Sequence, residues 1–222
     1  MLRNGSTTEK LNERSVSPMT PCTGVILAGG RNTRFSGENK AFMSVGGKRI
    51  VDRIFEVFTK IFDEILIVTN DPQDYIDLDA HIVRDICPVR SSLTGIHAGL
   101  FYATRPYAFF SACDTPFITR ELITGIIDAV DASQDIVLPE TEAGLEPLCA
   151  VYSKRCLPVI ETHIQQNTFK IQELFRRVRF MKLPPDHVAR LDPHGFSFFN
   201  VNSPEDRSRA DRVAARLEME TG

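Results

Sequence analysis

The sequence predicts an α/β protein of three layers, with a mostly parallel central sheet covered by helices on both faces. Three observations carry this expectation. Short apolar runs, most of them rich in β-branched residues, alternate with amphipathic stretches, nearly every run stops at a Gly, Asn, Asp or Pro turn signal, and no internal repeat interrupts the alternation. Parallel strands need a crossover, and an amphipathic crossover helix must bury its apolar face on the sheet.

The first strand is Gly24-Val25-Ile26-Leu27-Ala28, an apolar run stopped by two glycines. From Arg49 onward, Ile50, Ile54, Val57, Phe58 and Ile61 share one face of a helix of about three turns. Residues 64–69 form the next strand, closed by Asn70-Asp71-Pro72, and residues 81–85 the one after it. A helix from about Thr94 to Ala103 leads to the strand Tyr107 to Ala112. Thr119 caps a helix running to Val130, with Glu121 in its first turn, and strands at 135–139 and 148–152 follow.

From about Lys154 the pattern loosens. It contains two helices, a strand from Val178 to Leu183 and a Pro-rich turn at Pro184-Pro185. The run Phe196-Ser197-Phe198-Phe199-Asn200 reads as a last strand, and Ser203-Pro204-Glu205-Asp206 starts the closing helix with a cap, a first-turn Pro and acids. This part is expected to complete one wall of the site.

The 222 residues fit one domain over 23–222 behind a flexible leader over 1–22. Hydrophobic residues at 42% and charged residues at 25% are ordinary for a globular chain, which argues against disorder and membrane spanning. A net charge of -3 supplies no general electrostatic reason to bind nucleic acid. Five cysteines, odd in number and without a C-x-x-C pair, read as reduced thiols, and with no signal segment the expected location is the cytoplasm.

In open α/β sheets ligands collect at the carboxyl ends of the strands, and those positions are polar here. The first strand leads into Gly29, Gly30, Arg31 and Arg34 and on to Lys40; later strands end at Asn70, Asp85 and Asp114. Adjacent glycines let backbone N–H groups face an anion, and Arg31, Arg34 and Lys40 supply charge for a triphosphate. The spacing matches neither G-x-G-x-x-G nor the P-loop, and for the glycines and bases by themselves a structural turn with solvated charges is the commoner explanation. Asp114 suits a magnesium ion bridging phosphate oxygens, and it also suits a turn cap.

Leu27-Ala28-Gly29-Gly30-Arg31-Asn32-Thr33-Arg34-Phe35 with Lys40, then Cys113-Asp114-Thr115-Pro116-Phe117, then Phe199-Asn200-Val201-Asn202-Ser203-Pro204-Glu205-Asp206, together resemble the molybdenum cofactor guanylyltransferases, over roughly residues 24 to 210. The resemblance implies a Rossmann-like nucleotidyltransferase fold. It implies GTP held by the backbone of Leu27, Ala28 and Gly29, Lys40 on the phosphates, Asn70 and Asp85 along the nucleotide, and Mg²⁺ on Asp114. Arg34, Lys40 and Asp114 would then be the catalytic set. The implied reaction joins GTP to molybdopterin-bound molybdenum, giving the guanine dinucleotide cofactor and pyrophosphate. The substrates would be GTP and the molybdopterin cofactor, with transient contacts to other proteins of that biosynthesis and no nucleic acid or membrane partner.

Two loops depart from the family pattern. Ser36 stands where a Gly is common, and Ser91-Ser92-Leu93 replaces a Gly-Pro-Leu. The alternatives are a CTP-using or sugar-phosphate transferase of the same superfamily and a non-catalytic nucleotide-binding protein. No Ser/His/Asp constellation is present, and His81, His97, His163, His187 and His194 lack metal-ligand spacing. Asn200 and Asn202, after the last strand, are placed to reach the pterin or the metal, though turn formation before Pro204 is the commoner use of such residues, and the Phe196, Phe198, Phe199 cluster could stack on the pterin but reads first as core packing.

Overall fold

The structure is a computed structural model that describes residues 20–29, 34–35 and 38–221, the side chains of residues 34, 35, 38 and 221 excepted. Of the expected leader, residues 1–19 lie outside the described residues, as do Gly30 to Thr33, Ser36 and Gly37.

Strand β1 (Cys22–Leu27) is followed by the short pair β2 (Arg34–Phe35) and β3 (Glu38–Asn39), then by a single 3₁₀ turn at Lys40–Phe42. A hairpin, β4 (Ser44–Val45) and β5 (Lys48–Arg49), comes next. Its two turn residues, Gly46 and Gly47, sit at φ +55° and +75°, the left-handed pair a two-residue hairpin needs. Helix α1 (Ile50–Phe58) buries Ile50, Val51, Ile54 and Phe58, close to the face its spacing predicts.

The alternation then runs β6 (Ile65–Val68), β7 (His81–Val83), α2 (Ser92–Tyr102), β8 (Tyr107–Ala112), α3 (Arg120–Asp128) and β9 (Ile136–Thr141). After β10 (Gly144–Leu145) and β11 (Cys149–Ser153) come α4 (Leu157–Gln165), α5 (Ile171–Leu174), β12 (Phe180–Leu183), α6 (Pro185–Leu191) and α7 (Pro204–Thr221).

The main sheet has eight strands in the order β10-β9-β11-β8-β1-β6-β7, with β12 also on β9. Pairs β1–β6, β1–β8, β6–β7 and β9–β12 are parallel; β11 runs antiparallel to β8 and β9. The chain winds from β1 outward through β6 and β7, then returns to place β8 on the other side of β1. That reversal opens a crevice between the carboxyl ends of β1 and β8, the position at which such sheets bind ligands.

Side-chain alternation splits the core into two halves. Ile26 faces the layer of α1, α3, α6 and α7, while Val25 and Leu27 face that of α2, α4 and α5. The approach of α2 to the sheet depends on Gly99, because an added Cβ would lie 2.6 Å from Phe110 Cε1 and 2.8 Å from Val25 Cγ1. Glycine is otherwise unfavourable inside a helix. Phe110 is fully buried with its ring edge-on to Tyr152, so it has little room to retreat. Gly99→Ala is therefore expected to lower stability by about 1–3 kcal/mol in urea denaturation, despite its better helix propensity. A gain in stability would show that the α2–sheet contact is loose.

Three expectations are corrected. Residues 196–200 are not a strand: Asp192 Oδ2 accepts from the Ser197 N–H at 2.9 Å, Gly195 turns at φ +66°, and the Phe199 N–H bonds back to the Phe196 carbonyl. Phe196, Phe198 and Phe199 thus pack against the core from a looped segment. Pro184-Pro185 is no free turn but the entry to α6, with Pro184 at the cap and Pro185 at the first helical position. Helix α2 starts at Ser92 rather than near Thr94, because Ser91 and Thr94 form a reciprocal cap.

Candidate nucleotide site

A cavity of about 350 Å³ lies over the crevice between β1 and β8, of the size that small-molecule sites take. Leu27 and Gly29 border it from the end of β1, and Cys113 and Asp114 from the end of β8. Leu148, which enters the antiparallel β11, forms the wall beyond β8. On the other side stand Asp85 and the segment Arg90 to Ser92 with Gly95. Gly95 holds the α2 N-terminus close to β1, since a Cβ there would sit 3.1 Å from Leu27 Cδ2.

Lys40 reaches the same cavity although it belongs to the 3₁₀ turn after β3. Its side chain is 9% exposed, and Nζ donates to Asn202 Oδ1 at 2.7 Å. Asn202 is in place because the Val201 N–H donates to the Asp114 carbonyl at 2.9 Å, which pins the last loop to the end of β8. The Asn202 N–H in turn donates to Asp206 in the first turn of α7. Asn202 is thus a cavity residue, not merely a turn former. Its sequence signal was the Asn-Val-Asn-Ser-Pro run, but the partner that gives it meaning is 162 positions away.

Of the other residues singled out from the sequence, Ala28 is buried, and its N–H is committed to the Val68 carbonyl at 2.9 Å, so that amide is not free for a ligand. Asn70 lies behind Gly29: a Cβ on Gly29 would be 3.5 Å from Asn70 Nδ2. Arg34 pairs through its backbone with Asn39, and its side chain lies outside the described residues. The Ser91 part of the departure has a physical account in its cap, whose hydroxyl accepts the Thr94 N–H at 3.1 Å. Ser36 lies outside the described residues.

Among the described residues, three buried polar atoms at this end of the sheet make no hydrogen bond of normal geometry: Asn70 Nδ2, Asp85 Oδ1 and Asp114 Oδ1. Buried polar groups are rarely left alone, and a polar ligand at this edge would pair them. Burial lifts the Asp114 carboxyl above the usual aspartate range, and the nearby Lys40 ammonium pulls it partly back. Burial lifts Asp85 likewise, opposed by Asn70, Thr94, Arg90 and His97. Burial and then the neighbouring Asp114 push the Cys113 thiol up to about 12, so it stays protonated and is no nucleophile at neutral pH.

The lifted Asp85 carboxyl links stability to pH. It holds its proton more tightly folded than unfolded, so stability is lost as pH rises from the unfolded value through the folded one. Asp85→Asn removes that loss. The variant should melt at a higher temperature than the parent at pH 7, with the gap closing as the pH approaches about 4. A gap that stays constant across this range would mean that Asp85 is not the group responsible.

A magnesium ion is compatible with the donors present. Among the described residues no three His, Cys, Asp or Glu side chains gather, so an all-protein cage is not formed. Magnesium at a triphosphate needs only one or two carboxylates, with phosphate and water oxygens completing the shell. The unpartnered Asp114 Oδ1, at the end of β8 and beside the Lys40 charge, suits that single-carboxylate role.

The MobA-like NTP transferase domain matches this sequence over residues 24–181. The molybdenum cofactor guanylyltransferase of Desulfosudis oleivorans is 42% identical over 193 residues, 87% of this chain and 96% of that protein. Molybdopterin-guanine dinucleotide biosynthesis protein A from Archaeoglobus fulgidus superposes with a TM-score of 0.77 at 25% identity, over 87% of this chain and 99% of that one. The 2-C-methyl-D-erythritol 4-phosphate cytidylyltransferase of Thermus thermophilus shares the fold, with a TM-score of 0.65 at 15% identity over 87% of this chain and 99% of that one.

Proposed function

The chain belongs to the MobA-like NTP transferase family, and from that premise we propose how its cavity transfers GMP from GTP to the molybdopterin cofactor, giving the guanine dinucleotide cofactor and pyrophosphate. The observation that carries the reading is the unpartnered Asp114 carboxyl oxygen and the Lys40–Asn202 pair bordering one cavity at the crevice between β1 and β8. The guanine specificity rests on the relatives, among them the Desulfosudis oleivorans enzyme.

In this reading the nucleotide lies along the carboxyl edge of the sheet. Its triphosphate meets Lys40, and Asn70 and Asp85 serve the nucleoside part from the ends of β6 and β7. Gly29 offers backbone, with no Cβ to hold the ligand away, while Leu27 borders the ligand and gives its carbonyl to the Cys113 N–H. Asp114 would hold a magnesium ion, which when bound neutralises charge on the triphosphate. Arg34 belongs to the proposed catalytic set by its place in the motif.

The terminal phosphate of the acceptor bonds to the α-phosphorus as the bond to the β-phosphate oxygen breaks and pyrophosphate leaves. A phosphate monoester, with a second pKa of about 6, is already mostly dianionic at pH 7 and needs no general base. The protonated Cys113 is consistent with direct transfer. The work left to the protein is to position the two substrates and to neutralise charge.

No helix among the described residues is long and apolar enough to cross a membrane. We place the protein in the cytoplasm, a location that five free cysteines suit, and in transient contact with the proteins that supply and receive the cofactor. The test is pyrophosphate release from the protein with Mg²⁺, molybdopterin cofactor and each of the four nucleoside triphosphates in turn. GTP is expected to support turnover; turnover with CTP alone would overturn the guanylyl assignment.

A further inference from the structure

We propose that Asn39 and Tyr75 are positioning residues for Lys40, tying the phosphate-facing lysine to the loop that carries Asn70, so that both halves of the nucleotide meet one rigid piece of the protein. The inference rests on the reading above that Lys40 meets the triphosphate.

Lys40 opens a 3₁₀ turn of only three residues, Lys40–Phe42, which has no helical ladder to fix it. Asn39 holds the turn from both sides. Its Oδ1 accepts the Ala41 N–H at 3.1 Å, and its Nδ2 donates to Tyr75 Oη at 3.0 Å. Tyr75 ends the 3₁₀ turn Pro72–Tyr75 that follows β6, a few residues after Asn70. Its side chain is wholly buried, and its ring centroid lies 4.9 Å from that of Phe42, at the far end of the lysine turn. Two contacts therefore clamp the lysine turn to the loop after β6, one polar and one aromatic.

The residue types complement one another, with Thr69 also beside the Tyr75 hydroxyl. A phenylalanine would fill the Tyr75 site without a hydroxyl to satisfy, and a buried hydroxyl is costly unless paired. A serine would cap the Lys40 turn but is too short to reach across to a phenol. Asn supplies an acceptor for the cap and a donor for Tyr75 in one side chain. Lysine carries a flexible four-carbon stem, so the place of its ammonium depends on where its backbone is held. At the other end Asn202 holds Nζ at 2.7 Å.

The experiment measures binding of GTP and of guanosine, which has no phosphates for Lys40 to meet, to the full chain by titration calorimetry. Tyr75→Phe should weaken GTP binding by roughly fivefold, the scale of one hydrogen bond, and leave guanosine binding unchanged. Asn39→Asp should bind GTP like the parent, because a carboxylate accepts both the Ala41 N–H and the phenol O–H. Asn39→Ala should lose at least as much as Tyr75→Phe. In a Lys40→Met background, Tyr75→Phe should cost GTP nothing further. Equal losses for GTP and guanosine, or the same loss with and without Lys40, would overturn the proposal while leaving the Lys40 assignment in place. If Lys40→Met itself weakened GTP no more than guanosine, that assignment would fall and the proposal with it.

Discussion

Asp114→Ala is expected to cut guanylyl transfer by about a thousandfold or more while leaving the protein folded, the scale seen when a preorganised charge is removed from a transfer site. Among the described residues its Oδ1 makes no hydrogen bond, and the bond that pins the last loop is made by the Asp114 backbone carbonyl, which alanine keeps. Asp114→Asn separates charge from shape. It keeps the outline of the carboxyl but cannot offer an anionic oxygen to a metal, so its transfer should be nearly as low. Burial disfavours the ionised carboxyl, so the amide variant should melt at a higher temperature than the parent at neutral pH. Low activity with raised stability is the signature of a group kept for chemistry rather than for folding. Pyrophosphate release and thermal melting on the same samples check both halves, and transfer by Asp114→Ala at the parent rate would sink the metal assignment.

The parts of the site legible in the sequence are those fixed by local chain position. Leu27 closes its apolar run, Gly29 and Asp114 follow theirs and Asp85 comes after the shorter His81–Val83, and parallel strands bring their carboxyl ends to one edge. Where the outcome depended on which side chain takes a backbone group, nearby or far along the chain, the sequence was silent or misleading. Phe196 to Asn200 alternates like a strand, yet the Asp192 side chain takes the Ser197 N–H and the segment loops. Asn202 resembles a turn former until the Val201 N–H to Asp114 bond sets it against Lys40. Ser91 departs from the family loop, and the cap that explains it needs Thr94 in view. The Gly46-Gly47 hairpin is different: both glycines are a local signal, and its strands are simply too short to show a period.

Lys40→Met should lower kcat/KM for GTP by about a hundredfold to a thousandfold, measured as pyrophosphate release over a range of GTP concentrations. Three effects add. The triphosphate loses a cation in a nearly buried place, where charge is poorly screened by water. Asn202 Oδ1 loses its donor and is free to swing from the cavity wall. Asp114 loses the positive charge that offsets its desolvation, so its carboxyl rises further and holds its proton to higher pH. The last effect distinguishes this variant from a simple loss of binding: its remaining activity should fall away on acidification at a higher pH than that of the parent. Lys40→Arg should not restore the rate. A planar guanidinium is wider than an ammonium, and the lysine is 9% exposed at the end of a stem that meets Asn202 head-on. If arginine did restore the rate, positive charge alone would be sufficient here and the fixed place of the ammonium would not matter.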